Sequence, residues 1–511
     1  MTNKKMIDSF RRAPVSKVVL QNAIPAMVAM LMVLVYNLAD TFFIGQTHSD
    51  ILVAAVSLAT PVFLIFMAVG TVFGAGGTSV ISRAFGQGRT DYAKKVCAFC
   101  MWGCVGVGIL LSVVFLLFMD EILTLVGASA DTWEPARAYL VTVALGGPFV
   151  LISNCFSNIL RAEGQSGRAM AGQLFGNLLN VVLDPLLILT FGWGITGAAI
   201  ATVVGNVVGA GYYIIYFLRG ESALSIDIRD FSVKDGICGG VLGIGIPASL
   251  GSLLMSVSQM IVNAQMARYG DMALAGMGVA MKVTMMTGMI CIGFGQGVQP
   301  LLGYCVGARL WQRFREIMRF SLCFAFGLSV VMTGLCYLLR ESIVGAFLTD
   351  AAAFDYAMRF TNILLTTSVL FGIFFVMNNA LQGMGASVQA LITNLSRQGI
   401  IYIPALFLLQ TAFGVVGLAW AQPTADLLST VLVFALYLRT SRRMICNQPA
   451  ASSQEGLTEH ADESDNRIRN QKYSVDAVRN NSVFKVDFRF GVYTKENVEG
   501  SAPNRYERFK D

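Results

Sequence analysis

Long apolar segments separated by short charged or glycine-rich breaks fill the chain between residues 18 and 438. Many of these segments exceed the ~20 residues that an α-helix needs to cross the apolar core of a bilayer. The pattern therefore predicts an all-α polytopic membrane protein. The twelve predicted spans are residues 17–44, 51–82, 94–118, 137–160, 169–191, 195–218, 241–267, 273–303, 317–339, 355–381, 389–411 and 415–438.

The composition of the 511 residues excludes a soluble surface, because 55% are apolar and 13% are charged, against roughly 25% charged in a soluble domain. The chain has two histidines, and nearly all of its ten cysteines lie inside apolar segments. Such cysteines are typical packing residues rather than metal ligands. The sequence also lacks HExxH and GxSxG motifs, so we expect neither an enzyme nor a bound cofactor, and no nucleic-acid partner.

Lys and Arg predict how the bundle is oriented, since basic residues are retained on the cytoplasmic side of short loops. They concentrate before the first span, in the connections that follow even-numbered spans, and after the last span. The opposite connections carry acids such as Asp50, Asp120 and Glu121. We therefore expect both termini to be cytoplasmic and the protein to lie in the plasma (inner) membrane.

The chain repeats itself at an offset of about 221 residues. Ile24-Pro25 returns as Ile246-Pro247, and residues 158–164 return as residues 379–385. Six spans per copy give both copies the same orientation, so the repeat predicts two pseudo-twofold six-helix lobes around a central cavity. The predicted regions are an N-terminus (1–16), an N-lobe (17–220), a cytoplasmic linker (221–240), a C-lobe (241–440) and a polar tail (441–511), whose composition predicts disorder from residue 451.

Three acids, Asp40, Asp184 and Asp426, lie well inside predicted spans, and an ionisable residue at membrane depth indicates a functional site. Asp184 follows Asn180 by one helical turn, so both side chains share a helix face, and Asp40 lies in the first span. Oxygen-rich groups of this kind suit a proton or a hard cation such as sodium. The alternative is that Asp40 and Asp184 are hydrogen-bonded structural residues at helix ends.

At the repeat offset, Asp40, Asn180 and Asp184 correspond to Val262, Ile401 and Ala405, which carry no titratable group. The asymmetry predicts that ion coupling resides in the N-lobe. In the C-lobe, Lys282 and Asp426 are the conspicuous charges. Each is interpreted either as a cavity residue that selects substrate charge or as a structural residue.

Nine methionines, including Met255 and Met281, lie between residues 255 and 289. The flexible thioether suits adaptable apolar binding surfaces, and it is also a common core-packing group.

Five motifs stand out along the chain. They are Ile24-Pro25, Asp-Thr-Phe-Phe-Ile-Gly at 40–45, the glycine-rich second span, Arg-Ala-Glu-Gly-Gln at 161–165 and Asn-Val-Val-Leu-Asp-Pro at 180–185. Taken together, they resemble those of the multidrug and toxic compound extrusion (MATE) family. The resemblance covers about residues 14–443. It is to the prokaryotic branch whose N-lobe carries the coupling carboxylates.

The resemblance implies a secondary active antiporter that exports organic, often cationic, drug-like compounds in exchange for H⁺ or Na⁺. It implies a monomer surrounded by membrane lipid. Asp40, Asn180, Asp184 and Thr202 match the positions at which the family holds its ion, and Na⁺ is one candidate for that ion. Pro25 matches the proline at which the first helix bends, Tyr36, Tyr139 and Asn154 match polar residues near the same cavity, and Met255 stands where other branches place an acid.

The alternative function is a flippase of the same superfamily that moves lipid-linked saccharide precursors. Such flippases carry several basic residues in the cavity to meet phosphates. Lys282 is the only clear intramembrane base in the sequence pattern. The pattern therefore favours a drug exporter and leaves the flippase as the second hypothesis.

Overall fold

The computed structural model describes residues 10–11, 13–46, 50–348 and 350–446. The polar tail, for which disorder was predicted, and most of the predicted cytoplasmic N-terminus lie outside these residues. Within the described part of the chain the backbone is α-helical, with two π-helical turns and one 3₁₀ turn, and it contains no β-strand. The predicted all-α class is confirmed.

Six long helices form the first half of the bundle. They are α1 (Val15–Gly45), α2 (Asp50–Gly86), α3 (Thr90–Leu117), α4 (Ala130–Ala162), α5 (Ser166–Asp184, continued by the π turn Pro185–Thr190) and α6 (Gly194–Leu218). A short helix, Met119–Leu125, connects α3 to α4, and the 3₁₀ turn Ile228–Asp230 lies between the two halves.

The second half begins with α7 (Ile237–Ala267), α8 (Asp271–Gly307) and α9 (Trp311–Phe347). The next span, α10, consists of Ala351–Ser368 and Phe371–Gly383, which are bent by 49°. The last apolar stretch, Ser387–Met444, is 58 residues long and would extend ~87 Å as one straight helix. It is interrupted at Gly414, whose φ of 59° and ψ of −135° are not helical.

A bilayer core is only ~30 Å thick, so the break at Gly414 separates two spans, α11 (387–413) and α12 (415–446). With nine continuous spans before them and the bent α10, the described residues contain twelve spans, as predicted. Several helices are longer than the apolar pattern indicated. For example, α9 covers Trp311–Phe347 and not only 317–339, because its charged ends continue the helix beyond the apolar core.

The repeated motif at 158–164 and 379–385 ends a helix in each half. Gly164 and Gly385 adopt left-handed φ values of 83° and 78°, which glycine tolerates without a Cβ penalty. The N–H groups of Gly164 and Gln165 donate to the carbonyls of Arg161 and Leu160, at 3.0 and 2.9 Å. The same two bonds recur after α10, so both α4 and α10 end in a Schellman motif.

The two halves contact each other through glycines in two helix pairs, α1 with α8 and α2 with α7. The repeat relates one pair to the other. On α8, Gly293 and Gly297 pack against the backbone of α1 near Ala23 and Ala26, and on α2 and α7 Gly76 and Gly245 pack against each other's helix. A Cβ at any of these glycines would come closer than 3.0 Å to backbone atoms. Small residues are therefore what allows the helices to approach.

A reciprocal pair of glycines closes one end of this contact. A Cβ on Gly86 would clash with the carbonyl oxygen of Tyr304, and a Cβ on Gly307 would clash with that of Arg83. Both pairs of residues are related by the repeat offset. They lie where α2 and α8 end and close to where α1 begins, which the charge pattern predicts to be the cytoplasmic side.

A buried acid holds the segment that joins α6 to α7. Glu163 is fully buried and accepts hydrogen bonds from the Ser222 hydroxyl at 2.9 Å, the Tyr216 hydroxyl at 3.2 Å and the N–H of Ala223. Burial raises the pKa of Glu163 to about 6, although the N–H of Ala223 and the hydroxyl of Ser222 stabilise the charged form. The start of the connection is thereby fixed to the end of α4.

The glycine contact predicts a position-specific cost of adding side chains. Gly307→Val should destabilise the purified protein by roughly 1–3 kcal/mol through overpacking at the interface of the two halves. Gly327→Val on α9 is the matched control, because a Cβ there meets no atom within 4 Å. The midpoint of thermal unfolding in detergent micelles measures the difference, and equal midpoints for the two variants would contradict the proposed tight contact.

Candidate ion and substrate sites

The first candidate site lies where α5 and α6 cross. Gly176 on α5 and Gly205 on α6 are in backbone contact, since a Cβ on either would stand 2.6 Å from the carbonyl oxygen of the other. This close crossing brings the side chain of Thr202 to that of Asn180. After Asp184, Pro185 has no N–H to donate to the preceding turn, and the helix continues as a π turn.

Asn180 is the centre of the hydrogen bonds in this site. Its Nδ2 donates to Asp184 Oδ1 at 3.4 Å and to Thr202 Oγ1 at 3.4 Å. The exposed fractions of Asp184, Asn180 and Thr202 are 0%, 3% and 6%. The three residues predicted at α5 and α6 therefore form one buried polar group.

Several oxygen atoms of the site are buried without a partner. Asp184 Oδ2, Asn180 Oδ1 and Asp40 Oδ1 make no hydrogen bond to any described residue. A buried carboxylate without compensation is costly in an apolar environment. The chemistry of these oxygens fits a bound proton, which would neutralise one carboxylate, or a hard cation, which prefers oxygen ligands.

The other predicted N-lobe residues surround this group. Asp40 on α1 is close enough to Asp184, Tyr36 and Tyr139 for electrostatic interaction. Tyr36 and Asn154 line a small cavity of about 60 Å³ together with Asn180 and Thr202. Tyr139 is buried beside the cavity and is not among its lining residues.

Asn154 is fixed by α2. Its Nδ2 donates to the carbonyl of Met67 at 2.8 Å and to Thr71 Oγ1 at 3.2 Å. Pro25, by contrast, lies 15 residues before Asp40, and α1 runs through it from Val15 to Gly45 without a break. The hinge at Pro25 therefore stays a prediction.

The corresponding place in the C-lobe is an apolar core. Val262 is fully buried and packs with Met266, Tyr402 and Leu406, and Ile401 packs against the same cluster. The described residues thus provide no second acidic site at the repeat-related position, as the sequence asymmetry indicated.

The second candidate site is a cavity of about 360 Å³ in the C-lobe. Drug-sized ligands occupy pockets of roughly 300–1,000 Å³. Met255 and Lys282, both predicted as substrate-cavity residues, line it. Its other lining residues include Met281, Met285, Met289, Gln259, Phe371, Phe375, Arg397 and Gln422.

Asp426 does not line this cavity, which corrects the interpretation that it faces a substrate directly. It is 2% exposed and accepts hydrogen bonds from Arg397 Nε at 2.8 Å and from Gln422 Nε2 at 3.0 Å. The guanidinium carbon of Arg397 lies 4.9–5.0 Å from the ring centroids of three phenylalanines, close enough for cation–π interaction. These rings belong to Phe371, Phe374 and Phe375.

Arg397 is the functional-site residue that the sequence interpretation missed, and Lys282 is not the only intramembrane base. The signal was present, because an arginine inside the predicted span 389–411 requires a partner and Asp426 lies in the next span. At the repeat offset, Arg397 and Asp426 correspond to Gly176 and Gly205. The two lobes therefore join equivalent helices by different means, a backbone contact in one and an ion pair in the other.

Comparison with known proteins agrees with this architecture. The MatE family model matches residues 25–186 and again residues 247–408, one match in each half. The Multidrug export protein MepA of Staphylococcus aureus (strain MRSA252) is 30% identical over 438 residues, which cover 85% of this chain and 96% of the relative. MepA of Staphylococcus haemolyticus (strain JCSC1435) is also 30% identical, over 445 residues, 85% of this chain and 96% of the relative.

Among solved structures, one described as the outward-facing conformation of a multidrug resistance MATE family transporter of the MOP superfamily superposes with a TM-score of 0.82. The two chains are 23% identical, and the match covers 86% of this chain and 98% of that chain. This likeness establishes the fold. With twelve spans, a family match in each half and relatives aligned over nearly their whole length, the chain is an integral membrane protein that belongs to the MATE family of efflux transporters.

Proposed function

We propose that the protein is a secondary active multidrug antiporter that exports organic, often cationic, drug-like compounds in exchange for H⁺ or Na⁺. The single observation that supports coupling most strongly is the set of buried, unpartnered oxygens on Asp40, Asn180 and Asp184. Export of drugs is the activity that the name of the MepA relatives states. The C-lobe cavity has the size and the apolar lining that such compounds require.

The N-lobe site supplies a physical link between ion and compound. Asp40 lies on α1 and Asp184 on α5, so two carboxylates on different helices repel each other whenever both are ionised. A proton or Na⁺ that neutralises this pair would allow α1 to move against α5, with Pro25 as the bending point. α1 packs on α8, whose residues Met281 and Met285 line the C-lobe cavity, so the movement would reach that cavity and favour release of a compound.

The contact between the halves supports the alternating-access step. The glycine contacts at Gly86 and Gly307, and a hydrogen bond of 2.7 Å from Arg161 to Gln296, join the halves at the end where α1 begins. If this is the cytoplasmic end, as the basic residues predict, the halves are closed against each other on the cytoplasmic side. An antiporter closed on that side releases its compound to the outside and takes up its coupling ion from there.

The C-lobe cavity contains a second basic residue, as a flippase would require, but the cavity still fits a flippase less well than a drug exporter. Arg397 lines the C-lobe cavity, but its Nε donates to Asp426, so its charge is compensated within the protein. Lys282 alone among the basic lining residues has no described carboxylate partner. A single free ammonium is a weak site for a lipid-linked diphosphate, and the balance favours small organic compounds.

Replacing Asp184 on α5 and Asp426 on α12 distinguishes an ion-binding acid from a structural one. In proteoliposomes that contain the purified protein, Asp184→Asn should reduce ethidium transport driven by a pH or Na⁺ gradient to the background, because the group that binds the ion is lost. Asp426→Asn should keep the dependence on the ion gradient. The same variant should lower stability by about 3–5 kcal/mol, since Arg397 would remain buried without its partner.

Transport must be compared at equal amounts of folded protein, which size-exclusion chromatography measures. If Asp426→Asn removed the dependence on the ion gradient and Asp184→Asn retained it, the coupling site would have to be moved to the C-lobe.

The α1 carboxylate is tested in the same assay. Asp40→Asn should abolish gradient-driven efflux while leaving membrane insertion intact, because it removes a titratable group and not a packing contact. Asp120→Asn is the matched control, since Asp120 lies in the short helix Met119–Leu125 with its side chain 67% exposed. Wild-type efflux by a well-inserted Asp40→Asn protein would be incompatible with a coupling role.

A further inference from the structure

The charge of the C-lobe cavity is opposite to that of the N-lobe site. Two of its lining residues, Lys282 and Arg397, are cations, and its lining includes no Asp or Glu among the described residues. Asp426 is buried, pairs with Arg397 and is not a lining residue. The cavity is therefore a positively charged, otherwise mainly apolar space.

Arg397 contributes little free charge to this space. Its Nε is held at 2.8 Å by Asp426, and both side chains are largely buried, with 11% and 3% exposed. Three phenylalanine rings surround its guanidinium group at 4.9–5.0 Å. A buried ion pair with these contacts is compensated internally, so a ligand anion would compete with Asp426 for Arg397.

Lys282 has no such compensation. No described carboxylate lies within 4.0 Å of its Nζ, and the contact recorded for the ammonium group is the ring of Phe347 at 5.2 Å. Cation–π contact at an accessible site stabilises an ammonium only weakly. An ammonium group in an apolar cavity at membrane depth is costly, and a counter-ion brought by a ligand would remove that cost.

The rest of the cavity suits the apolar part of the same ligand. Met255, Met281, Met285 and Met289 contribute adaptable thioether side chains, and Phe371 and Phe375 contribute aromatic rings. Gln259 Nε2 donates to Asn263 at 3.1 Å. Of the two charged lining residues, Lys282 is the one whose charge a ligand could meet without displacing a carboxylate.

We propose that the C-lobe cavity binds amphiphilic organic compounds through an anionic group, such as a carboxylate, that pairs with Lys282. The apolar rings of the compound pack on the methionines and phenylalanines. A positive centre elsewhere in the same compound is compatible with this arrangement, so zwitterions belong to the substrate class together with the cations expected from the family. The inference rests on the proposed export of drug-like compounds and specifies which of them the C-lobe prefers.

Two dyes that differ in one group test the assignment. Tetramethylrhodamine carries a free carboxylate, and its methyl ester has the same ring cation without the negative charge. Fluorescence anisotropy measures the affinity of each dye for the full chain in phosphatidylcholine nanodiscs. The free acid should bind roughly tenfold more tightly than the ester, the amount expected for a charge-assisted hydrogen bond of about 1.4 kcal/mol.

Variants at Lys282 assign the preference to its charge. Lys282→Gln should make the two affinities equal to within about twofold, Lys282→Arg should retain the preference, and Lys282→Glu should reverse it. Lys95→Gln is the control, because Lys95 is an exposed lysine with 45% of its side chain accessible and lies at the start of α3. It should bind both dyes as the unmodified protein does.

The outcomes separate this inference from the proposed function. Equal affinities in the unmodified protein, or a preference that survives in Lys282→Gln, would overturn the inference, while gradient-driven transport of the ester would leave the export proposal standing. Phosphatidylglycerol provides the remaining arm. If adding it to the nanodiscs abolished the preference, Lys282 would be a lipid-headgroup site, and the assignment to drug-like compounds would be wrong.

Discussion

The cost of an ionised group in an apolar membrane interior governs how this protein is built. Each charge inside the spans must be compensated by a partner, by a ligand or by a proton. Arg397 and Asp426 compensate each other at 2.8 Å. Asp40 and Asp184 leave oxygens without partners, and Lys282 has an aromatic ring but no described acid beside it. The uncompensated groups are therefore the residues at which we propose that the ion and the compound bind.

The two lobes differ in how equivalent helices contact each other, and the repeat allows this contact to be compared position by position. The Gly176–Gly205 contact brings α5 and α6 together without charge, and this leaves room for the polar group around Asn180. In the C-lobe the Arg397–Asp426 pair occupies the equivalent crossing, and the counterpart of the acidic site is an apolar core around Val262. The same helix arrangement thus holds a buried acidic group in one half and a larger, basic cavity in the other.

Much of this could be predicted from the sequence. The length of the apolar segments predicts the twelve spans. Acidic residues are rare inside such segments, so the Asn180–Asp184 group could also be recognised from the sequence. The pairing of Arg397 with Asp426 was missed because the residues are 29 positions apart and only the crossing of α11 and α12 joins them. Helix ends were also misjudged, as in α9, since hydropathy reports the apolar core and not the helical hydrogen bonds that continue through Arg315 and Arg340.

In the proposed antiport, a cation bound in the N-lobe and an organic compound oppose each other's binding. Linkage requires each to weaken the other by the same factor. The most direct measurement is the equilibrium affinity of the unmodified protein for a fluorescent cationic dye, with proton and Na⁺ concentrations varied separately. We expect the affinity to fall as the concentration of one of these two ions rises. An affinity independent of both pH and Na⁺ would contradict it.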